Sequence, residues 1–454
     1  MKSDKQKKQT ILFAMKLLLL LVITCLYGII WYLFYASQLY HPFHFNGDFV
    51  VIFIFMILYA NFSKLYGVYD LKVRRTSDLV YSNAVSLIVV SALMYCVTIL
   101  LERRLPNVLP LLLFGAVSFI IGIPWCIAAN RMTNRVLGVQ NILLIYDNED
   151  ARRNGEYILT NIPWRYRMLD QIKIRKNIED TINDIKEYNP YGVMLCGIHS
   201  SPRNTILKYC IMEDIPVYIR PNIGDFIVNS ADEIQLANLP VLMCERATVP
   251  TPYRFCKRAF DIILSLLGLI VFSPFMIVAA IAIKLYDGGP VLYKQVRLTK
   301  DAREFYVYKF RSMKVDAEKD GVARLASQND DRITPIGKFI RAVRIDEMPQ
   351  IFCILKGDMS IVGPRPERPE IAREYEKDMP EFSLRLQVRA GLTGNAQVYG
   401  KYNTEPYDKL QMDLMYIAHQ SFVTDLKIIL ATIKILFIPE STEGVTAGST
   451  TAKR

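Results

Sequence analysis

The sequence predicts a membrane protein of mixed class, four membrane α-helices followed by an α/β part and a C-terminal monotopic part with a re-entrant membrane helix hairpin and amphipathic interfacial helices. Three observations carry this. Four apolar runs fill the first third of the 454 residues, at about 11–34, 49–62, 79–101 and 108–129. Strand-like and helix-like segments then alternate between 140 and about 245. A last long apolar run begins at Asp261, contains Pro274 near its middle and has basic residues on both flanks. The expected organisation is a four-helix transmembrane region (1–135), a small α/β module (136–250), a C-terminal domain (251–440) with a re-entrant helix at 261–286, and a disordered tail at 441–454 whose only large apolar residue is Val445.

Taken in order, the opening "MKSDKQKKQT" is basic, but the run behind it is too long and bulky for a signal peptide and lacks a small-residue cleavage site. It reads as a first span. The second run is short and needs its flanks to reach across a bilayer. Loop charges set the orientation, because Lys and Arg accumulate on the cytoplasmic side. The 35–48 loop carries neither, whereas 63–77 holds Lys64, Lys72, Arg74 and Arg75. Arg103 and Arg104 run against the rule, and Arg131 and Arg135 obey it. Both ends of the four-helix unit are therefore expected in the cytoplasm.

Composition excludes several classes. The net charge is +11, yet no basic stripe is interleaved with stacking aromatics, so nucleic acid is not an expected partner. The eight cysteines are scattered without a C-x-x-C pair, as in a reducing compartment, and the four histidines lack metal-ligand spacing. In the α/β module, "NILLIYD" (141–147), "YGVMLCGI" (191–198) and "IPVYIRP" (215–221) read as strands. The first is not followed by G-x-G-x-x-G, so structural or regulatory spacing is expected there in preference to dinucleotide binding.

The run from Asp261 is long enough for a fifth span. A proline at 274, preceded by Ser273, removes a backbone hydrogen bond and kinks or breaks a helix. A kinked span and a re-entrant hairpin both fit the hydropathy. Basic residues on both flanks (Arg254, Lys257 and Arg258 before; Lys284, Lys294, Arg297 and Lys300 after) favour re-entry, with Ser273 helping to satisfy freed backbone groups.

The C-terminal third carries the chemistry. Ile336, Phe339, Ile340 and Val343 mark one helix face, fit either to cover a core or to lie on an anionic membrane. Asp346 and Glu347 follow, just before Pro349, which biases Met348 away from helix and lets the two carboxylates converge. Lys309, Arg311, Arg341, Arg344 and Arg365 supply an excess of cations, the set a phosphate-bearing ligand shared with a divalent metal requires. "GPRPERP" (363–369) is a stiff loop that fixes Arg365 and Glu367 at low entropic cost.

The motifs "KRAFDIILS", Ser273-Pro274, "GGPVLYKQVR", "YKFRSM", "IDEMPQ", "GPRPE", "GLTGNAQV" and "MDLMYIAHQSFVTDLKIILATI" occur in this order from about 254 to 437. In this the chain resembles the bacterial polyprenyl-phosphate hexose-1-phosphate transferases, the monotopic phosphoglycosyl transferases that initiate exopolysaccharide, capsule or O-antigen assembly. The α/β stretch is similar to the Rossmann-like module of the large members. The resemblance implies that Asp346 is the nucleophile, attacking the sugar-bearing phosphorus of a UDP-sugar, releasing UMP and passing the sugar phosphate to undecaprenyl (polyprenyl) phosphate.

By the same resemblance Glu347, with Asp346, would hold Mg2+ or position the phosphates. Lys309, Arg341 and Arg365 would contact the diphosphate or the carboxylates, with Arg311, Arg344, Glu367 and Gln397 as weaker candidates. Membrane lipids, an inner-membrane location with the catalytic domain in the cytoplasm, and a homodimer are implied likewise. UDP-glucose or UDP-galactose is the family-level donor, with N-acetylated sugars open. Small departures are Met348 for the usual Leu, Ala390-Gly391 for proline-glycine and Lys401 for arginine. Two other classes are weighed. A nucleotide-sugar dehydratase or epimerase would use a Tyr-x-x-x-Lys pair, which Tyr253 and Lys257 match in spacing but without a glycine loop. A non-catalytic scaffold would be expected to lose some of the acids and cations. The apolar, lysine-dotted segment 425–439 is expected to lie in the interface.

Overall fold

The computed structural model describes residues 2–41, 43, 46–246, 249–315, 332–400 and 405–436. Two compact units emerge, Met1–Pro221 and Asn222–Arg454. The division falls inside the 136–250 stretch, because Ile223 packs with Leu414 and Ile417 of the second unit.

The first unit begins with helices α1 (Lys2–Ile30), α2 (Gly47–Tyr66), α3 (Thr76–Glu102) and α4 (Leu109–Leu137), all long and apolar enough to cross a membrane. The second apolar run does gain length from its flanks. α2 has 20 residues, about 30 Å of helix, and stops at Gly67, whose φ of 78° suits only glycine comfortably. Aromatic packing joins the helices: Tyr27 stacks on Phe55 at 4.0 Å, and Phe114 meets Tyr27 edge-on at 5.5 Å. Inside, the Tyr59 hydroxyl donates to Asn83 Oδ1 at 2.7 Å, satisfying two polar groups that hydrocarbon would otherwise leave unpaired.

A parallel sheet follows, built from β1 (Gln140–Tyr146), β2 (Tyr166–Lys173), β3 (Gly192–Cys196) and β4 (Val217–Ile219) in the order β2-β1-β3-β4. Helices α5 (Glu149–Thr160), α6 (Ile178–Tyr188) and α7 (Ser200–Met212) connect them. β1 reads as a continuous apolar run because Ile142 to Ile145 are buried on both faces. β2, with its exposed polar positions, carries no such run and is absent from the sequence expectation.

The second unit opens with α8 (Ile223–Asn229) and an antiparallel hairpin of β5 (Asp232–Leu236) and β6 (Leu239–Met243). α9 (Thr251–Asp287) is one helical run with Pro274 inside it, so the expected break at Ser273-Pro274 does not end the helix. The Ser273 hydroxyl donates to the Ile270 carbonyl at 3.0 Å. Near its start, Arg258 donates to the carbonyls of Ile354 and Leu355, and Asp261 accepts from the backbone N–H of Ile361 at 3.0 Å. Further along, Ala279 and Ile283 pack with Phe310 and Ile340.

The rest of this unit comprises β7 (Leu292–Leu298), β8 (Glu304–Phe310), α10 (Pro335–Ala342), α11 (Gln350–Lys356), β9 (Met359–Val362) and α12 (Pro369–Asp378). β10 (Ala390–Thr393), α13 (Asn395–Tyr399), α14 (Pro406–Ala418) and α15 (Phe422–Leu436) complete it. β7 pairs antiparallel with β8, and β9 pairs parallel with β10. The apolar face of α10 divides: Ile336 and Ile340 join the core, while Phe339 and Val343 stay exposed. α15 likewise buries Ile428 and exposes Phe422 and Val423. The tail at 441–454 lies outside the described residues.

Candidate active site

Local chain chemistry builds the site at the junction of α10 and α11. Thr334 caps α10 by accepting from the Gly337 N–H at 2.9 Å, and Pro335 occupies its first turn. Arg344 then adopts a left-handed conformation, φ 57°, and reverses the chain into a 3-10 turn of Ile345, Asp346 and Glu347. Pro349 precedes α11. This turn, and not a regular helix, is what holds two adjacent acids together.

Glu347 is engaged twice. Its Oε1 accepts from Lys309 Nζ on β8 at 2.6 Å and from Arg365 Nη2 at 2.7 Å. Burial alone would favour the neutral acid, but Arg365 and Lys309 outweigh it and hold the carboxyl far below the usual carboxylate range. Asp346 behaves oppositely. Burial and the Glu347 charge push it up to about 6 despite the opposing pull of Lys309, Arg341 and Arg365. Among the described residues no hydrogen bond or ion pair occupies its carboxylate.

Of the predicted residues, the structure brings together Asp346, Glu347, Lys309 and Arg365, with the charges of Arg341 and Arg344 acting on the same acids. Arg311 stands apart: it is buried and paired with Asp287 at the end of α9, a fastening role. Glu367 faces Arg385 at 3.6 Å and Arg297 at 3.9 Å. Gln397, on α13, donates to the Leu392 carbonyl near the end of β10 at 3.0 Å. Tyr253 and Lys257 both bond to buried Asp425, at 2.8 and 2.7 Å, so their spacing serves to lock α9 to α15.

Sequence reasoning missed the supports of the proline-rich loop. Arg385 pairs with Asp413 at 2.7 Å and donates to the Arg365 carbonyl at 2.9 Å, while Arg297 donates to the Pro366 carbonyl at 2.9 Å. The signal was an arginine flanked by apolar residues, in "QVRL" and "SLRLQ". The loop also rests on bare backbone: a Cβ on Gly391 would stand 2.1 Å from Gly363 N, and one on Gly394 2.1 Å from Gly363 O.

The residues fit a magnesium ion. Glu347 Oε2 and both Asp346 oxygens have no protein partner among the described residues. No group of three or more His, Cys, Asp or Glu among those residues forms an all-protein cage. Such a half-built carboxylate site is what Mg2+ uses when water and substrate phosphates complete its octahedron.

A partly buried carboxylate without a protein partner among the described residues, a second carboxylate held by two cations and an arginine on a proline-rich loop make a site whose charge suits phosphate groups. The family profile described as "Bacterial sugar transferase" matches residues 252–439, and the chain belongs to that family. It is 42% identical over 188 residues to the "Exopolysaccharide production protein PSS" of Rhizobium leguminosarum bv. phaseoli, covering 39% of this chain and 92% of that one. It is 38% identical over 239 residues (51% of this chain, 54% of the relative) to the "UDP-N-acetylgalactosamine-undecaprenyl-phosphate N-acetylgalactosaminephosphotransferase" of Aeromonas hydrophila. With the "UDP-glucose:undecaprenyl-phosphate glucose-1-phosphate transferase" of Escherichia coli (strain K12) it shares 36% over 222 residues, 48% of each. The match thus spans about half the length of these last two relatives.

Proposed function

We propose that the protein transfers hexose-1-phosphate from a UDP-sugar to undecaprenyl phosphate through a covalent intermediate on Asp346, initiating a polysaccharide repeat unit. The observation that carries this reading is the free, partly buried Asp346 carboxylate beside a Glu347 whose charge Lys309 and Arg365 absorb. An Asp346 oxygen attacks the sugar-bearing phosphorus, the bond from that phosphorus to the bridging oxygen breaks, and UMP leaves with the electron pair. A phosphate oxygen of the lipid then attacks the same phosphorus, and the Asp346 carboxylate departs. Lys309, Arg365, Arg341 and Arg344 neutralise and align the phosphate oxygens, which is most of what phosphoryl transfer demands. Asp346 and Glu347 would hold Mg2+, which when bound supplies further neutralisation of the diphosphate.

Topology supports the meeting of lipid and nucleotide at this point. Lys257 donates to the Val362 carbonyl at 3.1 Å, and Ile283, 26 residues on, packs beside Phe310 and Ile340 of the same unit. A straight crossing of that length would be about 39 Å, more than the roughly 30 Å hydrocarbon, and would put one folded unit on both sides. A bent, re-entrant α9 with both ends at the cytoplasmic face of the inner membrane avoids this. The uncovered β5–β6 hairpin, with Leu239 and Leu242 exposed, supports a homodimer, since a two-stranded hairpin is marginal alone.

The test is UMP release by the purified full chain across a panel of UDP-glucose, UDP-galactose and their N-acetylated counterparts. Intact-protein mass is read in parallel with donor alone. The reading expects a hexose-phosphate adduct at Asp346 that Asp346→Asn lacks. Turnover by Asp346→Asn at the wild-type rate would overturn it.

A further inference from the structure

At the far end of α11 from the acids lies a second basic feature. α11 has seven residues, about 10 Å of helix; Asp346 and Glu347 precede its start, and Arg258 holds its last carbonyls. Beside Arg258 a cavity of about 610 Å³ opens, lined by α9 and the segment just before β10. None of Lys309, Asp346, Glu347 or Arg365 lines it.

Its charge is unbalanced. Six cations line it against two carboxylates, Asp261 and Asp301. Asp261 is already engaged by Ser360 and the Ile361 N–H, and Asp301 is held by Arg246 at 2.6 Å. Lys257 is balanced by Asp425. That leaves Arg254, Lys300 and Arg389, whose side chains have no hydrogen-bond or ion-pair partner among the described residues. Partial desolvation and the neighbouring charges of Arg258, Arg303 and Arg254 lower the affinity of Arg389 for its proton against the opposing pull of Asp261, the mark of cations that outnumber their anions. The cavity sits where α9 changes from basic to apolar: Ile263, Leu266 and Leu267 lie exposed just beyond Asp261.

We propose that this cavity binds a phosphate group, distinct from the donor diphosphate at Asp346, through Arg254, Lys300 and Arg389. Guanidinium forks match phosphate oxygens bidentately, and a basic pocket at a membrane helix's mouth suits an anionic headgroup. The same chemistry would accept a soluble phosphate.

The experiment titrates the full chain in detergent with dioleoylphosphatidylglycerol, and separately with inorganic phosphate and UMP, counting bound molecules by native mass spectrometry. Asp346→Asn serves as background, so that occupancy is read independently of turnover. Arg254→Ala and Arg389→Ala alter exposed side chains, and Lys300→Ala provides a third variant on a different segment. Each removed cation is expected to weaken binding about fivefold. Loss confined to the phospholipid identifies a headgroup site, and loss confined to phosphate or UMP identifies a soluble ligand. Binding of all three ligands unchanged in all three variants overturns the proposal, as does the absence of any binding by the parent chain.

Discussion

Asp346 and Glu347 are consecutive in one 3-10 turn, yet their protonation is driven in opposite directions. Glu347 takes both neighbouring cations on one oxygen, which leaves Asp346 the only acid of the pair that must bear burial and repulsion together. One acid is fixed as a charge and the other is left free to react.

The pH dependence follows with a definite sign. In the proposed mechanism the Asp346 carboxylate, pushed up to about 6, must be ionised to attack. kcat/KM for UMP release is expected to fall about tenfold per pH unit below that value and to level off above it.

Glu347→Gln removes the negative charge that helps raise Asp346. The acidic limb of the same profile should move to lower pH while the plateau drops. An unshifted limb would show that the two carboxyls do not sense each other.

Lys309→Met takes away one of the two cations on Glu347. Loss of a preorganised charge at the proposed phosphoryl-transfer site is expected to lower kcat about 10²-fold, with the fold retained by circular dichroism.

Gly394→Ala places a Cβ 2.1 Å from the Gly363 carbonyl oxygen and so displaces the loop that carries Arg365. Activity should fall more than stability. Equal losses in both, measured by turnover and thermal melting, would mean the contact serves folding alone.

Lys257→Met breaks a buried pair and leaves Asp425 with an uncompensated charge, its side chain being only 3% exposed. The expected cost is about 3 kcal/mol, read from denaturant unfolding in detergent. Chelation is a separate check on the acids: EDTA should abolish UMP release and Mg2+ should restore it.

Much of the site was legible in the chain because its chemistry is local. Thr334, Pro335 and Pro349 fix where helices start and stop, and the two acids fall between them. Lys309 was recognisable as one of an excess of cations, and Arg365 as a cation on a stiff loop. Arg311 was not separable from them, since only folding brings it to Asp287. The edge strand β2 left no apolar run to read, and Arg385 acts through a carbonyl 20 residues away.

The sequence by itself determined the four apolar helices, the β1 and β3 core strands and the acid pair, all set by hydropathy, periodicity and turn chemistry within a few residues. Tertiary structure decided which acid is neutralised and which is free, that α9 continues through Pro274, and where its two halves rest. Those outcomes depend on Lys309, Arg365 and the 3-10 turn meeting across 38 and 18 residues of chain, and on burial, which no short stretch encodes.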